Sequence, residues 1–282
     1  MFKKILYPTK FEEFALPILK NLTCLKAGGL EEVILVNVIE TESLLIIRDS
    51  GLPIDFDRIR NSAQRKMSTY AEYIKAEGIA VRTKIVEGSM VPEILKAADE
   101  EDVSLIVAGR QKRDILGELF VGSTTDRIIR KSAVPVLVAK YHVLKETAGE
   151  TTEQYCTNMF RKILYPTDWS SSAERAKKYI PVLRKVGASE IIVVHVLEPD
   201  FDLGIKEKLG ALEQEFQSQG FTVSVQLLKG KPYMEINRIA TEEDVSLIVM
   251  GSHGKGFMEV VFWGSVSQRV VEYSEKPVLV VK

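Results

Sequence analysis

The string MFKKILYPT at residues 1–9 returns as MFRKILYPT at residues 159–167, with Lys3 replaced by Arg161. Further on, EEDVSLIVAG ending at Gly109 returns as EEDVSLIVMG ending at Gly251, and VPVLVAK ending at Lys140 returns as KPVLVVK ending at Lys282. A chain that writes one series of elements twice in the same order folds as two similar units in tandem. The first match has an offset of 158 and the later two an offset of 142, so the first copy holds about 16 extra residues between its first and fourth apolar runs. The segment 41–58, TESLLIIRDSGLPIDFDR, is where they fit best. Residues 141–158 are polar and lose hydrophobic periodicity, as a linker does. The sequence therefore divides into domains at 1–140 and 159–282, joined by 141–158.

Within each copy, short continuous apolar runs alternate with longer stretches whose apolar residues fall three and four apart. In the second copy the runs are KILYPT, EIIVVHVLE, FTVSVQLL, VSLIVMG and PVLVVK; a segment such as SSAERAKKYIPVLRKVG carries the helical spacing. Nearly all-apolar runs of this length are strands covered on both faces. Strands alternating with helices predict a parallel sheet with right-handed crossovers, so each copy is expected to be a doubly wound, Rossmann-like α/β domain with a five-stranded sheet.

Charge and cysteine content narrow the setting. The 38 basic and 39 acidic side chains leave a net charge of -1, which gives neither nucleic acid nor an anionic membrane a field to bind. The two cysteines, Cys24 and Cys156, are too few for a disulfide scaffold and form no C-x-x-C, so a reducing, cytoplasmic location is expected. The opening apolar run breaks at Pro8, short of a signal-peptide core, and no apolar run reaches membrane-spanning length.

In a doubly wound sheet, ligands bind beyond the carboxyl ends of the strands, where crossovers leave for opposite faces. The loops after the first and fourth strands of the second copy are therefore the informative ones. The first reads YPTDWSSSAERA, with Asp168 at the strand tip, either as a ligand contact or as a helix cap, and Ser170–Ser172 where a helix should begin. The second reads GSHGKGFMEVVFWGSVSQ. Gly251, Gly254 and Gly264-Ser265 leave backbone N–H groups open to an anion, and a helix starting at Ser265 would aim its positive end there.

Through YPTD, His195-Val196, MGSHG (250–254), GSVS (264–267) and the closing KPVLVV, the sequence resembles the universal stress protein family, specifically its ATP-binding branch. The resemblance covers both copies and implies a strand order of 3-2-1-4-5. It further implies that Asp168 and main chain near Val196 hold the adenosine. Met250, Gly251, Gly254, Gly264, Ser265, Val266 and Ser267 would complete the nucleotide site at the ribose and phosphates. The implied ligand is ATP, or ADP or AMP, with Mg²⁺ held through the phosphates. Members of the family commonly dimerise through the fifth strand, which here implies an internal pseudo-dimer of Val134–Lys140 against Pro277–Val281. An unidentified protein partner and further self-association stay open.

The first copy departs at the decisive positions: Lys10 stands where Asp168 does and Lys112 where Gly254 does, while Gly109, Gly122 and Ser123 persist. It is expected to be a nucleotide-free partner; the alternatives are a basic pocket of Lys10, Arg110, Lys112 and Arg113 for another anion, or a solvated loop. His195 is expected to be a packed strand residue, His253 a polar loop residue that could reach a phosphate, and Phe257, Phe262 and Trp263 a cluster that packs their loop. No P-loop frame, HExxH or G-x-S-x-G occurs. Nothing names a general base for hydrolysis, so any ATPase activity would be slow. The competing functions are a nucleotide-binding stress-response or signalling protein, a nucleotide-free structural or interaction module, and an adenylating enzyme, whose SGGxDS or HxGH motifs are missing.

Overall fold

The KILYP string forms the same buried strand in both copies: β1 (Lys4–Pro8) and β6 (Lys162–Pro166) lie inside the sheet, with Ile5, Leu6, Ile163 and Leu164 wholly buried. The computed structural model describes residues 1–12, 15–42, 55–110, 123–140, 156, 158–197, 204–254 and 263–282. The other strands of the first copy are β2 (Glu32–Glu40), β3 (Ala80–Gly88), β4 (Leu105–Arg110) and β5 (Val136–Lys140). Those of the second are β7 (Glu190–Leu197), β8 (Thr222–Lys229), β9 (Leu247–Gly251) and β10 (Val278–Val281). The all-apolar strands are buried along their length, whereas β3 and β8, at the outer edges, mix exposed and half-buried positions.

The strand order is β3-β2-β1-β4-β5-β10-β9-β6-β7-β8. Each half has the order 3-2-1-4-5, but the two five-stranded sheets merge into one of ten strands. The join is antiparallel, β5 to β10, with Val136, Leu137 and Val138 opposite Val280, Leu279 and Val278. Either strand alone would expose an apolar edge with unpaired N–H and C=O groups, and each covers the other's.

Helices cover both faces. The first copy has α1 (Ala15–Thr23), continued by a 3-10 turn (Cys24–Gly28), α2 (Phe56–Ala76), α3 (Met90–Glu100) and α4 (Ser123–Lys131). The second has α5 (Ser171–Lys177), α6 (Ile180–Arg184), α7 (Ile205–Ser218), α8 (Pro232–Glu242) and α9 (Ser265–Tyr273). The periodic stretch 171–184 is thus two short helices: Pro181, in the first turn of α6, cannot donate to residue 177 and its ring would clash there. Each face of the sheet has one core running through both copies. One includes Phe2, Leu19, Phe160 and Phe216, the other Ile94, Ile129, Ile239 and Trp263. The greater part of the proposed insertion, the linker apart from Cys156 and Asn158, and the loop residues Lys255, Phe257 and Phe262 lie outside the described residues.

Three contacts reinforce the junction away from the strand pair. Gly28 of the 3-10 turn faces Val186, the same position of the second repeat, and a Cβ on Gly28 would lie 2.9 Å from Val186 Cγ1. Nearby, Phe2 and Tyr179 pack with ring centroids 5.6 Å apart. The third is a disulfide between Cys24 and Cys156, 132 residues apart, which runs against the expectation of a reducing setting. Neither sequence spacing nor cysteine count exposes it, because the partner arrives through the end of the linker. Closing a loop this long removes up to about 4–5 kcal/mol of unfolded-state chain entropy.

Reduction is expected to lower the thermal midpoint, and Cys24→Ser to lower it similarly without further response to reductant; identical melting of oxidised and reduced protein would remove this role. Gly28→Val is expected to cost about 1–3 kcal/mol by overpacking. Denaturant unfolding should show Val186→Ala recovering part of that loss in the double variant, where simple additivity would mean that the two positions do not meet.

Candidate functional site

The turn leaving β6 is set by Thr167, whose Oγ1 accepts the N–H of Trp169 at 3.1 Å. This holds Trp169 in the left-handed region at φ 56°, uncommon for a residue with a Cβ. The first copy builds the same turn: Thr9 Oγ1 accepts from Phe11 N–H at 3.0 Å, and Phe11 has φ 61°. In each, a side chain of the neighbouring strand ties down the turn. Asn37 donates to the Thr9 carbonyl and the His195 Nδ1–H to the Thr167 carbonyl, both at 2.8 Å. His195 is thus a packed strand residue with a defined bond, and its ring also lies 4.6 Å from that of Trp169.

On this scaffold Asp168 stands at the strand tip. Its Oδ1 accepts the N–H of Ser170 at 2.9 Å, and the cap of α5 is Ser170, whose Oγ accepts from Ala173 N–H at 3.3 Å. Asp168 is therefore not the helix cap. Tyr165, buried beneath, donates its hydroxyl to the Ala173 carbonyl, and burial raises its phenol well above the ordinary value.

The loop after β9 is tied to its surroundings through Ser252. Its N–H donates to Val281 O, and its carbonyl accepts Gly264 N–H, both at 2.8 Å, together with the Ser267 hydroxyl at 2.6 Å. Ser172 and Ser170 hydroxyls reach the His253 carbonyl, and Ser252 Oγ lies 3.0 Å from His253 Nδ1. Gly264 is the N-cap residue of α9 with an extended backbone and no side-chain cap, so the helix begins with its first N–H groups uncapped by a side chain.

A cavity of about 350 Å³ opens beyond the carboxyl ends of β6, β7 and β9, a size that suits a small molecule. Asp168, Val196, Met250, Gly251, Gly254 and the run Gly264–Ser267 all line it. Trp169, His195, Ile205, Pro232 and Ile236 also line it. Sequence reasoning missed Trp169, Ile205, Pro232 and Ile236; for Trp169 an aromatic at the same place in YPTKF and YPTDW was the available signal. Above it, Lys208 Nζ of α7 lies 5.5 Å from the Trp169 ring centroid.

The glycines divide by cause. A Cβ on Gly251 would lie 2.3 Å from Ser172 Oγ and 2.6 Å from Ala173 N, so strand β9 and helix α5 approach too closely for any side chain. A Cβ on Gly254 would meet Asp168 Oδ2 at 2.8 Å, and Gly254 has no left-handed φ. What Gly254 provides is space beside the carboxylate, not the special backbone conformation that its glycine suggested. The Ser267 hydroxyl, 2 % exposed for the residue, is directed at the backbone carbonyls of Ser252 and Gly264.

In the first copy, Lys10 forms an exposed ion pair with Glu40 at 3.5 Å. Of the other residues named for a basic pocket, Lys112 and Arg113 lie outside the described residues. Among the described residues, no group of histidine, cysteine and acidic side chains could hold a metal, and no helix is long and apolar enough to cross a membrane.

A doubly wound sheet with a glycine-lined cavity beyond the carboxyl ends of its strands has the architecture of an α/β protein, with the cavity where such sheets bind small ligands. The Universal stress protein family matches residues 1–140 and 159–282, and the chain belongs to that family. Universal stress protein MJ0577 of Methanocaldococcus jannaschii is 34% identical over 155 residues, covering 44% of this chain and 96% of its own length. A universal stress protein of Mycolicibacterium smegmatis is 22% identical over 242 residues, covering 80% of this chain and 77% of its own. The crystal structure of a universal stress protein from Archaeoglobus fulgidus superposes with a TM-score of 0.77 at 27% identity, covering 99% of this chain and 96% of that one.

The two glycines should respond differently to the same substitution. Gly251→Ala is expected to lose about 1–3 kcal/mol in urea unfolding through the clash with α5. Gly254→Ala, whose close neighbour among the described residues is a side-chain oxygen able to rotate, should unfold within about 0.5 kcal/mol of the wild type. Equal losses would mean that the loop, not the helix contact, sets the first requirement.

Proposed function

We propose that the second copy binds an adenine nucleotide, ATP by first choice, and that the first copy serves as its nucleotide-free partner across β5 and β10. The observation that carries this reading is the convergence of Asp168, Val196, the β9 loop glycines and the start of α9 on one cavity. In this reading Asp168 accepts from ribose hydroxyls, main chain at Val196 meets the base, and Trp169 with His195 gives the base end an aromatic wall. The first turn of α9, beginning at Ser265, offers N–H groups and a positive helix end to the phosphates. Space beside Asp168 that a Cβ at residue 254 would fill fits a ligand lying against this carboxylate. Mg²⁺ would arrive on the phosphates and neutralise part of their charge.

The same reading makes 1–140 and 159–282 the two functional units, with 141–158 between them, and gives the protein a role in stress response or signalling. Nucleotide occupancy would act on a protein partner only to the extent that the partner distinguishes the filled and empty forms. A cytoplasmic setting belongs to it as well, with the Cys24–Cys156 bond the observation that pulls the other way.

Calorimetric titration of ATP with Mg²⁺ into nucleotide-free protein is expected to give one site per chain. Asp168→Ala should abolish measurable binding, and Gly254→Lys, which gives the second copy the residue found at position 112, should do so without unfolding it. Two sites per chain would overturn the assignment of the first copy as nucleotide-free, and no binding would favour a structural module.

A further inference from the structure

Helix α9, whose first turn lines the cavity, is held near both ends by side chains of the other copy. At its start, Trp263 immediately precedes the N-cap Gly264 and is 5 % exposed, and the Arg130 guanidinium of α4 stacks 5.4 Å from its ring centroid. Arg130 is aimed by Asp126, which accepts from its Nε at 2.7 Å. At the other end, the buried Lys140, last residue of β5, donates from Nζ to the Val271 carbonyl at 2.8 Å. Val271 lies in the last turn of α9, where carbonyls have no partner within the helix and a cation is favoured by the helix dipole.

The arrangement is reciprocal. Lys282, at the matching position of the second repeat, donates to the Arg130 carbonyl in the last turn of α4 at 3.3 Å. Burial, with Arg130 nearby, lowers its amine to about 8. Each copy's terminal lysine thus crosses the β5–β10 join and caps the last helix of the other copy. The consequences differ, because the cavity described above is bounded by α9.

We propose that the first copy positions the anion end of the second copy's cavity: Arg130 on Trp263 and Lys140 on Val271 fix the placement of α9. The two copies are then coupled, since a ligand that needs α9 in place must in return strengthen the contacts that place it. Arg130 and Lys140 are positioning residues and touch no ligand. The placement of α9 is independent of what the cavity binds; the affinity consequence rests on the nucleotide reading above.

The test compares the full-length wild type with Arg130→Met, Lys140→Met and the double variant, which keep most of the apolar stem volume, and with Lys131→Met as a surface control on α4. Hydrogen exchange of the ligand-free proteins is read by mass spectrometry. Amides of α9 are expected to exchange about tenfold faster in the double variant, while those of β1, β2 and β7 stay as in wild type and the control. Titration with ATP should then show affinity weakened about fivefold or more, with adenosine, which has no phosphate to meet α9, unchanged. Arg130→Lys, which keeps a cation over Trp263, should restore much of the protection lost in Arg130→Met.

Unchanged α9 exchange in the double variant would overturn the proposal whatever the cavity binds. Faster exchange with equal losses for ATP and adenosine would overturn the placement of the anion end at α9, and faster exchange throughout would mean general loosening, also against it. If the wild type bound neither compound, the nucleotide reading would fail by itself, and the exchange result would still decide whether the first copy positions α9.

Discussion

The antiparallel pairing of β5 with β10 is the contact on which the rest of the architecture depends. Three residue pairs form it, and their side chains are at most 4 % exposed. Ordinary edge strands carry charges or bulges that discourage pairing, but these two are the runs VLVAK and VLVV, fit for the inside of a sheet. Once joined, the half-sheets share one core on each face, and Gly28 must accommodate Val186 at the same place in the repeat. The join also brings α4 and α9 within reach of lysines from the opposite copy, so that sheet completion and helix capping arise from the same residues.

Much of this was legible because the chain states it twice. The repeated strings show the strands, their order of appearance and the two loops at the strand tips, and the glycines with Asp168 mark the loops that line the cavity. The legible features are local ones: apolar runs, turn residues and loops at strand tips. Features made by distant segments were hidden. Lys140 and Lys282 close apolar strands and look like solvated ends, yet Lys140 is 3 % exposed and bonded across the join. The Cys24–Cys156 pair depends on where the linker returns, and no spacing rule predicts that.

The cavity also shows why identical residue types can answer to different constraints. Gly251 is required by backbone and side-chain atoms of α5, fixed parts of the fold, whereas Gly254, among the described residues, faces a carboxylate oxygen. Ser267, placed in the nucleotide site by the family resemblance, turns its hydroxyl toward the carbonyl oxygens that shape the loop. All three residues line the cavity; only the packing separates residues that build the loop from residues that face the open space.

Comparison of the copies separates what the fold demands from what the site demands. Thr9 and Thr167 make the same turn, Phe11 and Trp169 share the same left-handed backbone, and Asn37 and His195 donate to equivalent carbonyls. These bonds hold strand tips in place and survive in both halves because the ten-stranded sheet needs both. The charge at the tip is under no such demand: Lys10 is balanced locally by Glu40, at little cost to an exposed loop. Position 254 follows from position 168, since the missing Cβ and the carboxylate form one contact in the second copy. The first copy has lysine at both positions, Lys10 and Lys112, so the carboxylate and the glycine beside it are replaced together.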